Sequence, residues 1–129
     1  RILDSFFYIY QWISATATGT SFFNQTVGDA LKDHPTEMRQ LIVELCQLFS
    51  AMGYDLGEDA VERTIERQTF MIPTSTSSMH VDFMAGRLTE LENLTGYVVR
   101  AARSLGLSLP TYERMYHALA TEPYPPAIH

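Results

Sequence analysis

Residues 35–53 read PTEMRQLIVELCQLFSAMG, and this stretch decides the fold class. Met38, Leu41, Ile42, Leu45, Leu48, Phe49 and Met52 recur at i, i+3, i+4 and i+7, which gathers them on one stripe of an α-helix. Pro35 suits a first helical turn, where its missing N–H is not needed, and Glu37 complements the positive end of the helix dipole. Gly53 is the residue type that stops a helix in left-handed geometry. Alternation of the strand type, bounded by turns, occurs nowhere, whereas the helical period recurs along the chain. The expectation is an all-α fold, a compact multi-helix domain.

Working outward, Glu58 to about Phe70 reads as a helix with Ala60, Val61 and Ile65 inward, ended by Pro73 because the residue before a proline avoids helical geometry. Residues 74–78 form a hydroxyl-rich linker. Ser78–Ala85 reads as a short helix with Met79, Phe83 and Met84 on its apolar side, broken by Gly86. Thr89 and Glu92 stand in the Thr-x-x-Glu relation of a capping box and open a helix that buries Leu91, Leu94, Val98, Ala102 and Leu105, with Gly106 as its C-terminal cap. A last helix starts near Pro110 and carries Tyr112, Met115, Tyr116 and Leu119 on one face. Upstream, Ile2 to about Ala17 is apolar on nearly all sides, the pattern of a helix central to a core. No internal repeat occurs. One domain is expected over residues 1–122, followed by a proline-rich tail over 123–129.

The 129 residues suffice for one domain with a core of its own, and 46% hydrophobic with 19% charged residues excludes a disordered chain. The formal net charge of −6, with scattered basic residues, argues against binding a phosphate backbone. Cys46 is the single cysteine, so an intramolecular disulfide and a thiolate metal cluster are both excluded, and a reducing compartment, the cytoplasm, is expected. The densest apolar run, Phe6 to Ile13, falls well short of the ~20 residues of a membrane span and reads as a buried helix. The chain opens on Arg1 without a signal pattern, which reads as a cut point in a longer protein.

Residues 75–96 concentrate the chemistry: Ser75, Ser77 and Ser78, then Met79-His80-Val81-Asp82, Gly86-Arg87-Leu88-Thr89-Glu90 and Gly96. Hydroxyls before a helix either cap it or, together with its free N–H groups, grip an anion. Glu90, in a first helical turn, either compensates the dipole or offers a carboxylate to a ligand. Glu92 belongs to the capping box and is read as structural. Asp82 and Arg87 read as an ion pair that fixes the turn. His80 and Asp82 lack a third ligand at useful spacing, so no metal site is expected and His80 reads as a polar surface residue. Cys46, on an apolar stripe, reads as an inert core thiol.

The run from Ser77 to Gly96 resembles the C-terminal signature of ketopantoate reductases, in which Ser-Ser-Met-x-x-Asp leads into Gly-Arg-x-Thr-Glu and an aliphatic helix with one internal glycine. Thr26-Val27-Gly28-Asp29 is similar to the family's Thr-Val-Gly-Glu-Leu turn, and residues 58–119 follow with few gaps. The resemblance implies a fold like the C-terminal domain of 6-phosphogluconate dehydrogenase, a role in substrate binding and homodimer formation, and an N-terminal Rossmann domain, not contained in this chain, that holds NADP. It implies the NADPH-dependent reduction of a small 2-keto acid, 2-dehydropantoate, to pantoate in pantothenate biosynthesis. Ser78 falls on the family's substrate-binding serine, Ser75 falls where many relatives carry an asparagine, and Glu90 matches a catalytic glutamate near the substrate and the nicotinamide ribose.

One family motif is missing. Ketopantoate reductases carry Trp-x-Lys-x-x-x-Asn-x-x-x-Asn on an upstream helix; placing Trp12 on that tryptophan puts Ser14 at the lysine and Thr18 at the first asparagine, whereas aligning on Thr26-Val27-Gly28 puts Ile9 and Ile13 there. Lys32, the chain's single lysine, lies beyond that helix and reads as solvent-facing. Without an ammonium near the carbonyl oxygen, a developing alkoxide loses its proton source and electrostatic partner. A catalytically silent helical module for dimerisation or small-acid binding is therefore the second expectation.

Overall fold

The computed structural model describes residues 2–128, with side chains from Ile9 onward. Arg1, and the side chains of the apolar run before Ile9, lie outside the described residues. Seven α-helices occur among them: α1 (Ile2–Phe23), α2 (Val27–Asp33), α3 (Pro35–Ala51), α4 (Ala60–Thr69), α5 (Ser78–Ala85), α6 (Tyr97–Ser104) and α7 (Pro110–Thr121), with a π-helical turn, Glu92–Gly96, leading into α6. No strand occurs among the described residues, so the fold is all-α.

α3 is the helix that its apolar period demands. Met38, Leu41, Ile42, Leu45, Leu48 and Phe49 are all fully buried, each side chain contributing roughly 1.5–3 kcal/mol by leaving water. α1 is the hub, packing against α2, α3, α4, α5, the π-helical turn and α7. It runs six residues past the expected Ala17, because Thr18, Gly19, Thr20 and Ser21 are themselves buried. Gly19 marks the crossing with α3, where a Cβ would lie 2.3 Å from Met38 Sδ. The expected buried run up to Ile13 is only partly so: Ile9 and Ile13 are 46% and 41% exposed, and continuous burial begins at Ser14.

Other expectations shift where polar partners compete with the apolar period. α4 turns Ala60, Thr64 and Gln68 inward, leaving Val61 and Ile65 half-buried, because Thr64 Oγ1 donates to Ala60 O at 2.8 Å and Gln68 Nε2 donates to Thr16 Oγ1 at 3.1 Å. In α5 the inward residues are Met79, His80 and Phe83, while Met84 faces solvent. Leu105 is likewise exposed: Gly106 turns at φ +73°, Leu107 N–H returns to Ala102 O at 2.9 Å, and Leu107 packs against the core instead. The expected capping box does not form. Thr89 Oγ1 accepts from Leu91 N–H at 3.2 Å, and the Glu92 carboxylate goes instead to Arg100 Nη1 at 2.7 Å and the Tyr116 hydroxyl at 2.8 Å.

α2, read in the sequence only as a turn, is a helix capped by Thr26, whose Oγ1 accepts from Asp29 N–H. It matters because it docks the hydroxyl-rich linker. Val27 N–H donates to Ser75 O and Gly28 N–H to Pro73 O, each at 2.9 Å, and a Cβ on Gly28 would lie 2.7 Å from Pro73 Cβ and 2.8 Å from Pro73 O. At the other end, the residues after α7 pack back onto the domain. Tyr124 stacks on Phe83 with ring centroids 4.8 Å apart, its hydroxyl donates to Ser21 O at 2.7 Å, and Pro126 is buried.

The start of α7 has no local cap, since Leu109 carries no acceptor. Its first N–H groups are satisfied from α3, where buried Glu44 accepts from Tyr112 N–H at 2.9 Å and Thr111 N–H at 3.1 Å. Glu44→Ala orphans both donors and is expected to lower the unfolding free energy by about 2–4 kcal/mol in urea titrations, with Glu44→Gln costing roughly half. Gly28→Ala is expected to cost about 1–3 kcal/mol, since the atoms it meets are backbone and a proline ring.

Candidate functional site

α1, the linker and the π-helical turn enclose a cleft of about 150 Å³ lined by Trp12, Ile13, Thr16, Ala17, Met71, Ser77, Ser78 and Leu94. Its wall is largely hydrocarbon, and its polar groups are three hydroxyls. Thr16 takes the amide hydrogen of Gln68. Ser77 is the N-cap of α5, accepting from His80 N–H at 3.1 Å, and its hydroxyl also pairs with Thr20 Oγ1 at 2.8 Å. Ser78 follows it as the first residue of α5, exposed, with no side-chain hydrogen bond among the described residues. Ser77 thus satisfies the helix start, and the hydroxyl of Ser78 is not spent on capping.

The remaining candidates are not in the wall of this cleft. The Ser75 hydroxyl donates to Ile72 O at 2.6 Å and its carbonyl accepts from Val27, so its polar groups hold the linker turn. Glu90 is exposed at the bend before the π-helical turn, its Oε2 accepting from Asn93 Nδ2 at 2.8 Å, four residues ahead of cleft-lining Leu94. The cleft thus brings Ser78 together with α1, and neither Glu90 nor Ser75 is among its lining residues. Arg87 Nε pairs with Asp82 Oδ1 at 3.0 Å, as the ion-pair reading of that turn requires. The π-helical winding keeps buried Gly96 against Arg100, Glu92 and Tyr116, and such turns recur at functional sites.

Neither placement of the missing lysine motif on α1 sets a cation at the cleft. Ser14 and Thr18 are fully buried and already committed: Ser14 Oγ to Leu94 O and to the Tyr112 hydroxyl at 2.9 Å, and Thr18 Oγ1 to Thr95 Oγ1 at 2.7 Å. Ile9 and Ile13 are open to solvent, and Ile13 and Ala17, one turn apart, line the cleft. The face of Ile9, Ile13 and Ala17 carries only hydrocarbon. Lys32 is exposed on α2 and absent from the cleft lining. Among the described residues no group of three or more His, Cys, Asp or Glu side chains could hold a metal ion. Cys46 is half-buried, with Gln11 Nε2 donating to its sulfur at 2.9 Å, and burial pushes its thiol pKa up, away from the reactive thiolate.

His80 was expected on the surface, yet it is 4% exposed. Its Nδ1 meets Thr76 Oγ1 and its Nε2 meets Asn24 Oδ1, each at 2.7 Å. With Nε2 protonated, the ring donates to Asn24 and accepts from Thr76, which ties the linker to the end of α1. No pattern on α5 announced this, because both partners come from outside the helix. Burial lowers the His80 pKa, so the folded state binds fewer protons than the unfolded chain just below pH 6.5. Stability is accordingly expected to fall as pH drops from 6.5 through the folded-state pKa. The measurement is thermal unfolding between pH 7.5 and 5.5, where His80→Gln should show a smaller loss on acidification than the parent.

No helix among the described residues is long and apolar enough to cross a membrane. A family model described as ketopantoate reductase PanE/ApbA C terminal matches residues 10–122. The 2-dehydropantoate 2-reductase of Yersinia pestis is 28% identical over 100 residues, covering 78% of this chain and 33% of that protein. The crystal structure of 2-dehydropantoate 2-reductase from Porphyromonas gingivalis is 32% identical with a TM-score of 0.71, over 89% of this chain and 33% of that one. That from Methylococcus capsulatus is 26% identical with a TM-score of 0.82, over 93% and 39%. The chain thus spans about a third of the length of these relatives. A family match over most of its length, on the fold that the helical periods dictate, makes this chain a member of the ketopantoate reductase C-terminal family.

Proposed function

We propose that this chain is the substrate-side domain of a ketopantoate reductase-like oxidoreductase, which in its complete form reduces 2-dehydropantoate or a close 2-keto acid to the 2-hydroxy acid in the cytoplasm, as a step of pantothenate biosynthesis. The observation that carries this reading is Ser78, unspent at the N-terminus of α5 and opening onto the cleft against α1. A hydroxyl donor and first-turn N–H groups are what a small carboxylate needs for orientation. Ser75 contributes by holding the linker that presents Ser78. Glu90, before the π-helical turn, is the residue proposed to meet the substrate and the ribose of the cofactor.

NADPH would supply the hydride. The strand–turn–helix cradle for its phosphates is proposed to belong to a Rossmann domain of the complete protein, with Glu90 of this chain meeting the nicotinamide end. Two copies of the complete protein are proposed to pair, the arrangement named for a Staphylococcus aureus ketopantoate reductase of the same fold.

A second reading is favoured by the hydrocarbon face of Ile9, Ile13 and Ala17: the domain binds a small acid without reducing it, because no cleft residue can protonate the carbonyl oxygen. Following NADPH absorbance with the intact gene product and 2-dehydropantoate separates the two. The first reading expects turnover, with kcat/KM lowered about 10–100-fold by Ser78→Ala and by Glu90→Ala at unchanged melting temperature. Acid binding without NADPH consumption would establish the second, and parent-like kinetics for Glu90→Ala would remove that residue from the site.

A further inference from the structure

A carboxylate held at the mouth of a cleft walled by Trp12, Ile13, Ala17, Met71 and Leu94 loses part of its hydration. Neutral hydroxyls can orient it but cannot balance its charge. No lysine or arginine is among the residues that line the cleft. A counter-charge supplied by this domain therefore comes from beside that wall, and most described cations are committed elsewhere: Arg39 to Glu62, Arg63 to Asp59, Arg87 to Asp82, Arg100 to Glu92 and Arg103 to Glu113. Arg114 lies over Phe22, and Lys32 is on α2.

Arg67 differs from all of these. Its guanidinium carbon sits 4.9 Å from the centre of the Trp12 ring, a cation–π contact with a residue of the cleft wall. It carries no ion pair among the described residues. The next residue, Gln68, is bonded to cleft-lining Thr16, and Met71, one turn on, lines the cleft itself, so this end of α4 is held against the site. The Trp12 indole N–H is buried with no partner among the described residues, which leaves a second donor unsatisfied on the same ring. An arginine laid on an indole keeps its planar fork preorganised and its charge partly shielded from water.

We propose that Arg67, held on Trp12, is the specificity-determining cation for a small monocarboxylic acid with an apolar tail, the carboxylate meeting the guanidinium and the tail filling the hydrocarbon part of the cleft. This rests on reading the cleft as a small-acid site, and Ser78 keeps its role as the neutral donor. The test is calorimetric titration of the intact protein with 3-methyl-2-oxobutanoate and with its uncharged amide, for the parent, Arg67→Gln, Arg67→Lys and Ser78→Ala.

The parent should prefer the acid by about tenfold or more, the size of a charge-assisted contact. Arg67→Gln should abolish that preference while leaving the Kd for the amide unchanged, Arg67→Lys should restore part of it, and Ser78→Ala should weaken both ligands. Acid binding weakened by Ser78→Ala but untouched by Arg67→Gln would overturn the role of Arg67 and leave the cleft standing. Saturable binding of neither ligand to the parent would overturn the cleft reading and this proposal together. Arg67 is exposed, so its variants should melt with the parent.

Discussion

The structure depends on the polar groups that α1 carries into the core. Gln11, Ser14, Thr16, Thr18 and Thr20 are buried on the central helix, and each is answered by a different part of the domain. Gln11 meets Cys46 on α3, Ser14 meets Leu94 O and Tyr112, Thr16 meets Gln68 on α4, Thr18 meets Thr95 in the π-helical turn, and Thr20 meets Ser77 at the cap of α5. A buried hydroxyl or amide left without a partner costs about 1–3 kcal/mol, so a one-residue slip of α1 would forfeit several such bonds at once. Hydrophobic burial drives the helices together without selecting a register. The polar stripe selects it.

The cleft inherits its geometry from that stripe. Thr20 engages Ser77, Ser77 caps α5, and the cap leaves Ser78 at the opening. From the other side, Gly28 and Val27 of α2 hold Pro73 and Ser75, so the linker is pinned by backbone bonds at one end and by the α1 hydroxyl at the other. His80 adds a third tie, from α5 through Asn24 to the end of α1, where Tyr124 of the last residues also arrives, 3.4 Å from Asn24 Oδ1. A short, hydroxyl-rich segment would otherwise be among the most mobile parts of a helical domain. Here each end is fastened to an element that packs on the core.

The electrostatic character of the site follows from what α1 does not carry. Its cleft-facing turn is Ile13 and Ala17, so the wall there is apolar, the lining hydroxyls are those of Thr16, Ser77 and Ser78, and Arg67 lies on the ring of Trp12. Such a layout favours holding a small anion at the rim with its hydrocarbon inward.

Much of this was legible in the residues alone. The apolar period of α3, the cap glycines at 53, 86 and 106, the Asp82–Arg87 pair and the run from Ser77 to Gly96 are local signals, decided within a few residues of one another, and they were enough for an all-helical member of a known family. What escaped was every feature whose partner lies far along the chain. Glu44 caps α7 across 68 residues, His80 reaches Asn24 across 56, and Glu92 leaves the expected capping box for Tyr116 and Arg100. A polar side chain takes whichever donor or acceptor the packed helices bring nearest, and the sequence lists those groups without their distances. Local propensity therefore determined which segments are helices, and tertiary packing alone decided which serine caps, which opens onto the cleft, and which arginine stands beside it.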